Sequence, residues 1–246
     1  MNTGESFIAH LIELRTRLLH SVIAVLLVFA VLFWWASDLY TLLAQPLLSK
    51  LPKGGQMIAT DVTTPFLVPL KVALMASFLL TLPYIFYQIW RFVAPGLYAN
   101  EKRLVVPLIV TSTALFFCGM AFAYFAVFPM VFGFITAAVP QGVAVMTDID
   151  KYFSFVLSMF MAFGITFQVP VAVVVLVRMG FVTIEKLREI RSYVVVGAFV
   201  IGAIFTPPDV VSQLMLAIPL WMLYEAGIVV ASWMKPAEKK MEKKLL

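Results

Sequence analysis

LLHSVIAVLLVFAVLFWWAS, residues 18–37, contains no Asp, Glu, Lys or Arg; Arg15 and Arg17 lie just before it and Asp38 just after. A membrane-spanning helix needs about 20 predominantly apolar residues, and this stretch supplies them. Runs equally free of charge occupy 72–90, 104–147 and 152–177. The run from 104 is too long for one span, so its helix is expected to end near Phe134, leaving Pro140, Gly142 and Thr147 in a loop. Two more apolar runs, 193–206 and 214–232, flank the break Pro207-Pro208-Asp209. The reading is an all-α polytopic membrane protein with six transmembrane helices at 18–37, 71–91, 104–134, 152–178, 193–206 and 213–232. Segments 1–17, 92–103, 179–192 and 233–246 then lie on one side of the bilayer, and 38–70, 135–151 and 207–212 on the other.

Composition agrees. Of 246 residues 63% are hydrophobic and 13% charged, and the mean hydropathy is +1.00. Soluble domains run nearer 45–50% apolar and about 25% charged, so lipid must solvate much of this surface. The apolar run of the N-terminal region is too long for a cleaved signal peptide, and no small-x-small site follows it before Asp38. The lone cysteine, Cys118, reads as a small apolar packing residue. His10 and His20 have no cysteine or carboxylate set that completes a metal-ligand pattern, and no P-loop, dinucleotide fingerprint or nucleophile–base pair is present. The sequence therefore calls for no metal, no cofactor and no catalysis.

Orientation follows from Lys and Arg. Fourteen fall in the N-terminal, second-to-third, fourth-to-fifth and C-terminal flanks, against Lys50, Lys53, Lys71 and Lys151 on the opposite side. The richer side is cytoplasmic by the positive-inside rule, which puts both termini inside. This asymmetry accounts for the net charge of +5 without a nucleic-acid partner.

The fifth span, 193–206, rises only about 21 Å as a helix against a hydrocarbon core of about 30 Å. The sixth is short too once its polar Ser212-Gln213 start is excluded. Such mismatch thins the bilayer or is covered by a partner. Pro83, Pro107, Pro170 and Pro219 fall inside spans; they give curved packing or, acting together, a concave wall.

Polar residues fall into two groups. Phe7, Leu11, Leu14 and Leu18 make Glu5–Arg17 an amphipathic helix that should lie in the cytoplasmic interface before turning into the membrane. There Glu13 stands four residues before Arg17, a modest helix ion pair. Asn100 suits a helix cap and Glu101 its first turn. Each carboxylate thus has a local structural role, and the pair on a cationic face could also hold a guanidinium ligand. Deeper, Thr81, Thr113, Gln168 and Glu225 each lie ten residues inward from a flanking cation, about 15 Å along a helix. Gln168 and Glu225 are expected to share one intramembrane polar patch, with ordinary interhelical hydrogen bonding as the alternative.

Local strings add a resemblance. Phe7 to Arg15 (FIAHLIELR), Met57 to Phe66 (MIATDVTTPF), Pro95 to Arg103 (PGLYANEKR), Gly119 to Phe125 (GMAFAYF), Ala162 to Pro170 (AFGITFQVP) and Phe205 to Val210 (FTPPDV) resemble, in order and spacing, the TatC family. That family is the central membrane component of the twin-arginine protein translocase, and the chain looks like a proteobacterial member. The resemblance implies a receptor for twin-arginine signal peptides of folded cargo, working in the inner membrane with the single-span TatA and TatB proteins. Several copies assemble, and the protonmotive force drives transport. It implies that Glu13 and Glu101 bind the paired arginines, with Arg15 and Phe92 in the same patch. On the periplasmic side it marks Pro46, Asp61 and Asp209. It also implies TatB docking along the short fifth helix, and a polar contact for TatA or TatB at Ser212 and Gln213. Many members carry glutamate where this chain has Gln168, which cannot titrate.

Three rival readings remain at this point: a proton-coupled secondary transporter of a small solute, an intramembrane enzyme, and a scaffold that never touches cargo. The first suits Glu225 and the prolines, but no repeated halves are visible.

Overall fold

The computed structural model describes residues 3–48, 56–93, 105–137, 146–205 and 210–233. Helix α1 (Thr3–Leu32) passes through a tight 3-10 turn, Phe33–Trp35, into α2 (Ala36–Leu48). No glycine or proline interrupts 5–32, so the amphipathic segment does not turn at the membrane as expected but forms the first half of α1. At the other end helix continues past Ser37, where a loop was expected. This unit is helical from Thr3 to Leu48 and rises about 69 Å at 1.5 Å per residue, more than twice a hydrocarbon core of about 30 Å. Its polar end, with Glu13, Arg15 and Arg17, therefore extends beyond the span.

Helix α3 (Thr64–Val93) contains Pro69 and Pro83 without breaking. Helix α4 (Val105–Phe122) leads through a π segment, Ala123–Val127, into α5 (Phe128–Ala137). The π turn has a local cause. Pro129 has no N–H to offer, and Phe128 N–H reaches back five residues to the Ala123 carbonyl. Pro107 sits in the first turn of α4, where a missing N–H costs nothing, so it makes no kink. Helix α6 (Ile149–Thr166) stops at Phe167-Gln168, and α7 (Val169–Arg178) restarts with Pro170 in its first turn. The short α8 (Ile184–Glu189), capped by the Thr183 hydroxyl, precedes α9 (Arg191–Phe205) and α10 (Val210–Trp233).

Among the described residues five helical units are long and apolar enough to cross a membrane, and α9 is a shorter apolar helix. The chain is thus a multi-pass membrane protein, overwhelmingly helical. The α9 helix is indeed short, at 15 residues. The α10 helix runs for 24 residues, Val210–Trp233, and the 20 that follow its polar Ser212-Gln213 start are about what a span needs. One feature departs from all-α: β1 (Gln56–Ile58) pairs in parallel with β2 (Met146–Asp148), Met57 opposite Thr147. Two stretches read as separate loops therefore meet.

The largest buried cluster joins Val68 and Val72 of α3, Phe128 and Phe132 of α5, Phe153, Phe160 and Phe163 of α6, and Leu216 and Leu220 of α10. A second cluster packs Val173 and Val177 of α7 against Tyr224 and Ile228 of α10. Outside them, Leu19, Ile23 and Leu27 of α1 stay exposed, as lipid-facing side chains do.

Candidate functional site

Helix α1 packs along α3, and where their polar ends meet they form a groove of about 440 Å³ lined by Glu13, Arg17, His20, Tyr84, Gln88 and Arg91. Helical spacing puts Glu13 and Arg17 on one face of α1, and Tyr84 and Gln88, with Tyr87 and Arg91, on the facing side of α3. Arg17 Nε donates to Glu13 Oε1 at 3.0 Å, and its Nη2 donates to the same oxygen. Arg17 Nη1 reaches Gln88 Oε1 at 3.4 Å, and Gln88 Nε2 donates to the Tyr84 hydroxyl at 2.6 Å. Arg91 donates to the Tyr87 hydroxyl at 2.9 Å, its guanidinium 5.8 Å from that ring's centre.

His10 lies flat on Phe92, ring centres 4.2 Å apart and planes 17° from parallel, and its Nδ1 is 3.8 Å from Glu13 Oε2. The Arg17 hydrogen bonds hold the Glu13 carboxyl below its ordinary range, against partial burial and aided by the charge of Arg17 and Arg91. Glu13 is therefore an anion set among cations, and it already seats one guanidinium. Arg17 is the more enclosed partner, 16% exposed against 37% for Glu13.

Of the four expected binding residues, Glu13 and Phe92 come together through His10. Arg15 is exposed on another side of α1 and makes no bond to Glu13. Glu101 lies outside the described residues. His10, Gln88, Tyr84 and Tyr87 were not anticipated. The repeated four-residue spacing of Tyr84 with Gln88 and Tyr87 with Arg91, at the charged end of an apolar run, was the available signal.

Gln168 and Glu225 bond to different partners. Gln168, at the α6–α7 break, donates from Nε2 to the Ser112 carbonyl at 2.9 Å, and Ser112 Oγ accepts from Trp90 Nε1 at 3.1 Å. Ser112 is thus a buried tie between α3, α4 and the α6–α7 break. Glu225 instead accepts from Arg191 Nη2 at 2.6 Å, and the adjacent Tyr224 hydroxyl donates to the Leu187 carbonyl of α8 at 2.8 Å. Both bonds tie this part of α10 to the α8–α9 link. Thr81 back-bonds to Ser77 of its own helix at 2.6 Å, and Thr113 Oγ1 is buried with no described hydrogen-bond partner.

On the opposite side Asp61 is exposed before α3. Its neighbour Thr60 gives Asp148 two hydrogen bonds, from N at 3.2 Å and from Oγ1 at 2.5 Å. Gln213 Nε2 donates to the Phe199 carbonyl at 3.0 Å, so this amide already ties α10 to α9. Pro46 and Ser212 lie in α2 and α10, but their side chains, like Asp209, lie outside the described residues. Among the described residues no cluster of His, Cys, Asp and Glu could hold a metal ion.

Comparison with known proteins places this geometry. A family model described as Sec-independent protein translocase protein (TatC) matches residues 9–219. The TatC protein of Azotobacter chroococcum mcd 1 is 54% identical over 221 residues, 90% of this chain and 87% of its own. That of Escherichia coli (strain K12) is 54% identical over 224 residues, 91% and 87%. A crystal structure described as the twin arginine translocase receptor TatC superposes with a TM-score of 0.78 at 40% identity, covering 91% of this chain and 98% of that one.

Proposed function

The chain belongs to the TatC family of Sec-independent protein translocase proteins, and from that premise we propose that it is the signal-peptide receptor and core subunit of a twin-arginine translocase. The observation that carries the reading is the guanidinium already seated on Glu13. A carboxylate that accepts two N–H groups from Arg17 has the geometry to accept them from a peptide arginine, with Gln88 Oε1 at hand to keep the displaced Arg17. Glu101 supplies the second carboxylate, Phe92 on its His10 stack an apolar wall, and Arg15 the flank. Lysine, a point charge without a planar fork, reproduces this poorly.

The same reading makes the flank of α9 and the Ser212-Gln213 start of α10 the docking side for TatA and TatB. Pro46, Asp61 and Asp209 lie on the periplasmic face. Several copies assemble in the bacterial inner membrane with both termini cytoplasmic, and the protonmotive force, not nucleotide hydrolysis, drives export of folded cargo. Lys and Arg asymmetry supports that orientation, and the chain acts as receptor without catalysing a reaction. The relatives are named as protein translocase components, which favours this reading over a small-solute transporter.

The test is photocrosslinking of a twin-arginine peptide to a probe placed at Thr16, beside Glu13 in the groove, against a twin-lysine control. The wild type should crosslink the arginine peptide preferentially, and Glu13→Gln should erase the preference while the protein still inserts. Equal crosslinking of both peptides to the wild type, or an unchanged preference in Glu13→Gln, would overturn it.

A further inference from the structure

A second groove, of about 380 Å³, runs between α4, α7 and α10. Its walls extend from Pro107 to Leu115, from Pro170 to Arg178 and from Leu223 to Val230. Each wall is eight or nine residues long, a rise of about 10–12 Å at 1.5 Å per residue. Apart from the Thr111 hydroxyl and the Arg178 head, the lining is hydrocarbon. Its back is closed by contact between helices: a Cβ on Gly227 would lie 2.9 Å from Pro170 Cα, so α7 and α10 touch there. Its front is open, with Ala226 and Val230 exposed along it. Arg178, in the last turn of α7, stands at one end.

We propose that this groove binds one anionic phospholipid of the cytoplasmic leaflet, an acyl chain lying along the hydrocarbon walls and the headgroup phosphate on the Arg178 guanidinium. Three features select this occupant. The length is close to half of a hydrocarbon core of about 30 Å, the reach of one leaflet's chains. The cation stands at the end belonging to the Lys- and Arg-rich side of the protein, where the phosphates of that leaflet lie, and guanidinium pairs with phosphate through two parallel hydrogen bonds. The lining, hydrocarbon apart from the Thr111 hydroxyl and the Arg178 head, matches an acyl chain below a single phosphate. Basic pockets between transmembrane helices on the cytoplasmic side hold anionic headgroups by this chemistry.

The experiment is native mass spectrometry of the purified full-length chain in non-ionic detergent, with phosphatidylglycerol and phosphatidylcholine of matched chains added in equal amounts. The wild type should retain one phosphatidylglycerol in preference to phosphatidylcholine by about fivefold, the worth of one cation against an anionic headgroup. Added salt should narrow the ratio. Arg178→Gln should lower it to near one, Arg178→Lys should keep part of it, and Ala226→Trp, which fills the groove, should lose both lipids. Inorganic phosphate in excess should not displace the lipid, since the chain provides the hold. Equal retention of the two lipids by the wild type overturns the proposal, as does full retention by Ala226→Trp or displacement by phosphate alone. The wild-type ratio and its salt dependence decide the matter even if a variant fails to fold. Crosslinking of a twin-arginine peptide beside Glu13 is independent of this site, so either reading can fail alone.

Discussion

The α4–α6 contact offers the sharpest test of the packing, because two glycines there face different obstacles. A Cβ on Gly119 would sit 2.6 Å from the Phe163 carbonyl oxygen and 2.9 Å from its carbon. A Cβ on Gly164 would sit 2.4–2.7 Å from the tip of the Phe116 ring, which is itself 3% exposed and packed among Leu82 and Phe86. Carbon atoms rest at about 3.5–4.0 Å, so either alanine demands roughly 1 Å of movement. Overpacking of this kind costs about 1–3 kcal/mol. Gly119→Ala belongs at the upper end, because backbone cannot rotate aside. Gly133→Ala and Gly197→Ala, with nothing within 4 Å of the added Cβ, should be neutral or gain up to about 1 kcal/mol of helix propensity. Equilibrium unfolding in bicelles by steric trapping would measure all four. Adding Phe116→Leu should then offset much of the Gly164→Ala penalty in a double-mutant cycle and none of that from Gly119→Ala. Wild-type stability in Gly119→Ala, or equal rescue of both, would refute this account of how α4 and α6 approach.

Two further outcomes follow from single side chains. Hydrogen bonds from the Thr60 hydroxyl, and from the Lys151 and Thr60 amides, hold the Asp148 carboxyl below its ordinary range. Its stabilisation is therefore complete above the unfolded value of about 3.9 and is lost as pH falls through the lower folded value. Acidification in that window should raise amide exchange at Thr60 and Lys151, and Asp148→Asn should flatten the dependence; a pH-independent wild type would contradict it. Separately, Gln168→Glu removes the N–H that reaches Ser112. A protonated acid can still donate there and an ionised one cannot, so its stability loss against the wild type should grow with pH, and a constant loss would count against the bond.

Much of the helical layout was readable because burial in lipid demands long apolar runs, and charge alone marks their ends. The four-residue spacing announced the Glu13–Arg17 pair, whereas Pro170 signalled only curvature within the span 152–178, which the structure divides into α6 and α7. Rotation and depth were not readable. The spans are apolar nearly all round, so no stripe shows which face meets which neighbour, and the approach of Gln88 to Arg17 or His10 to Phe92 leaves no local trace. The parallel pairing of β1 with β2 joins residues some ninety apart, beyond any local signal. Nor does counting inward from the nearest cation foresee that Tyr224 and Glu225 tie α10 to Leu187 and Arg191.

These placements bear on what the interior can do. Glu225 accepts from Arg191 through Oε2, and its Oε1 is buried with no described hydrogen-bond partner. Gln168, at the α6–α7 break, satisfies one of its own amide N–H groups on the Ser112 carbonyl, a buried donor that would be costly to leave unpaired. Among the described residues Glu13 joins a guanidinium to an open groove, at the polar end of α1. Under the proposed function, paired arginines are told from lysines at that groove by the number and direction of their hydrogen bonds.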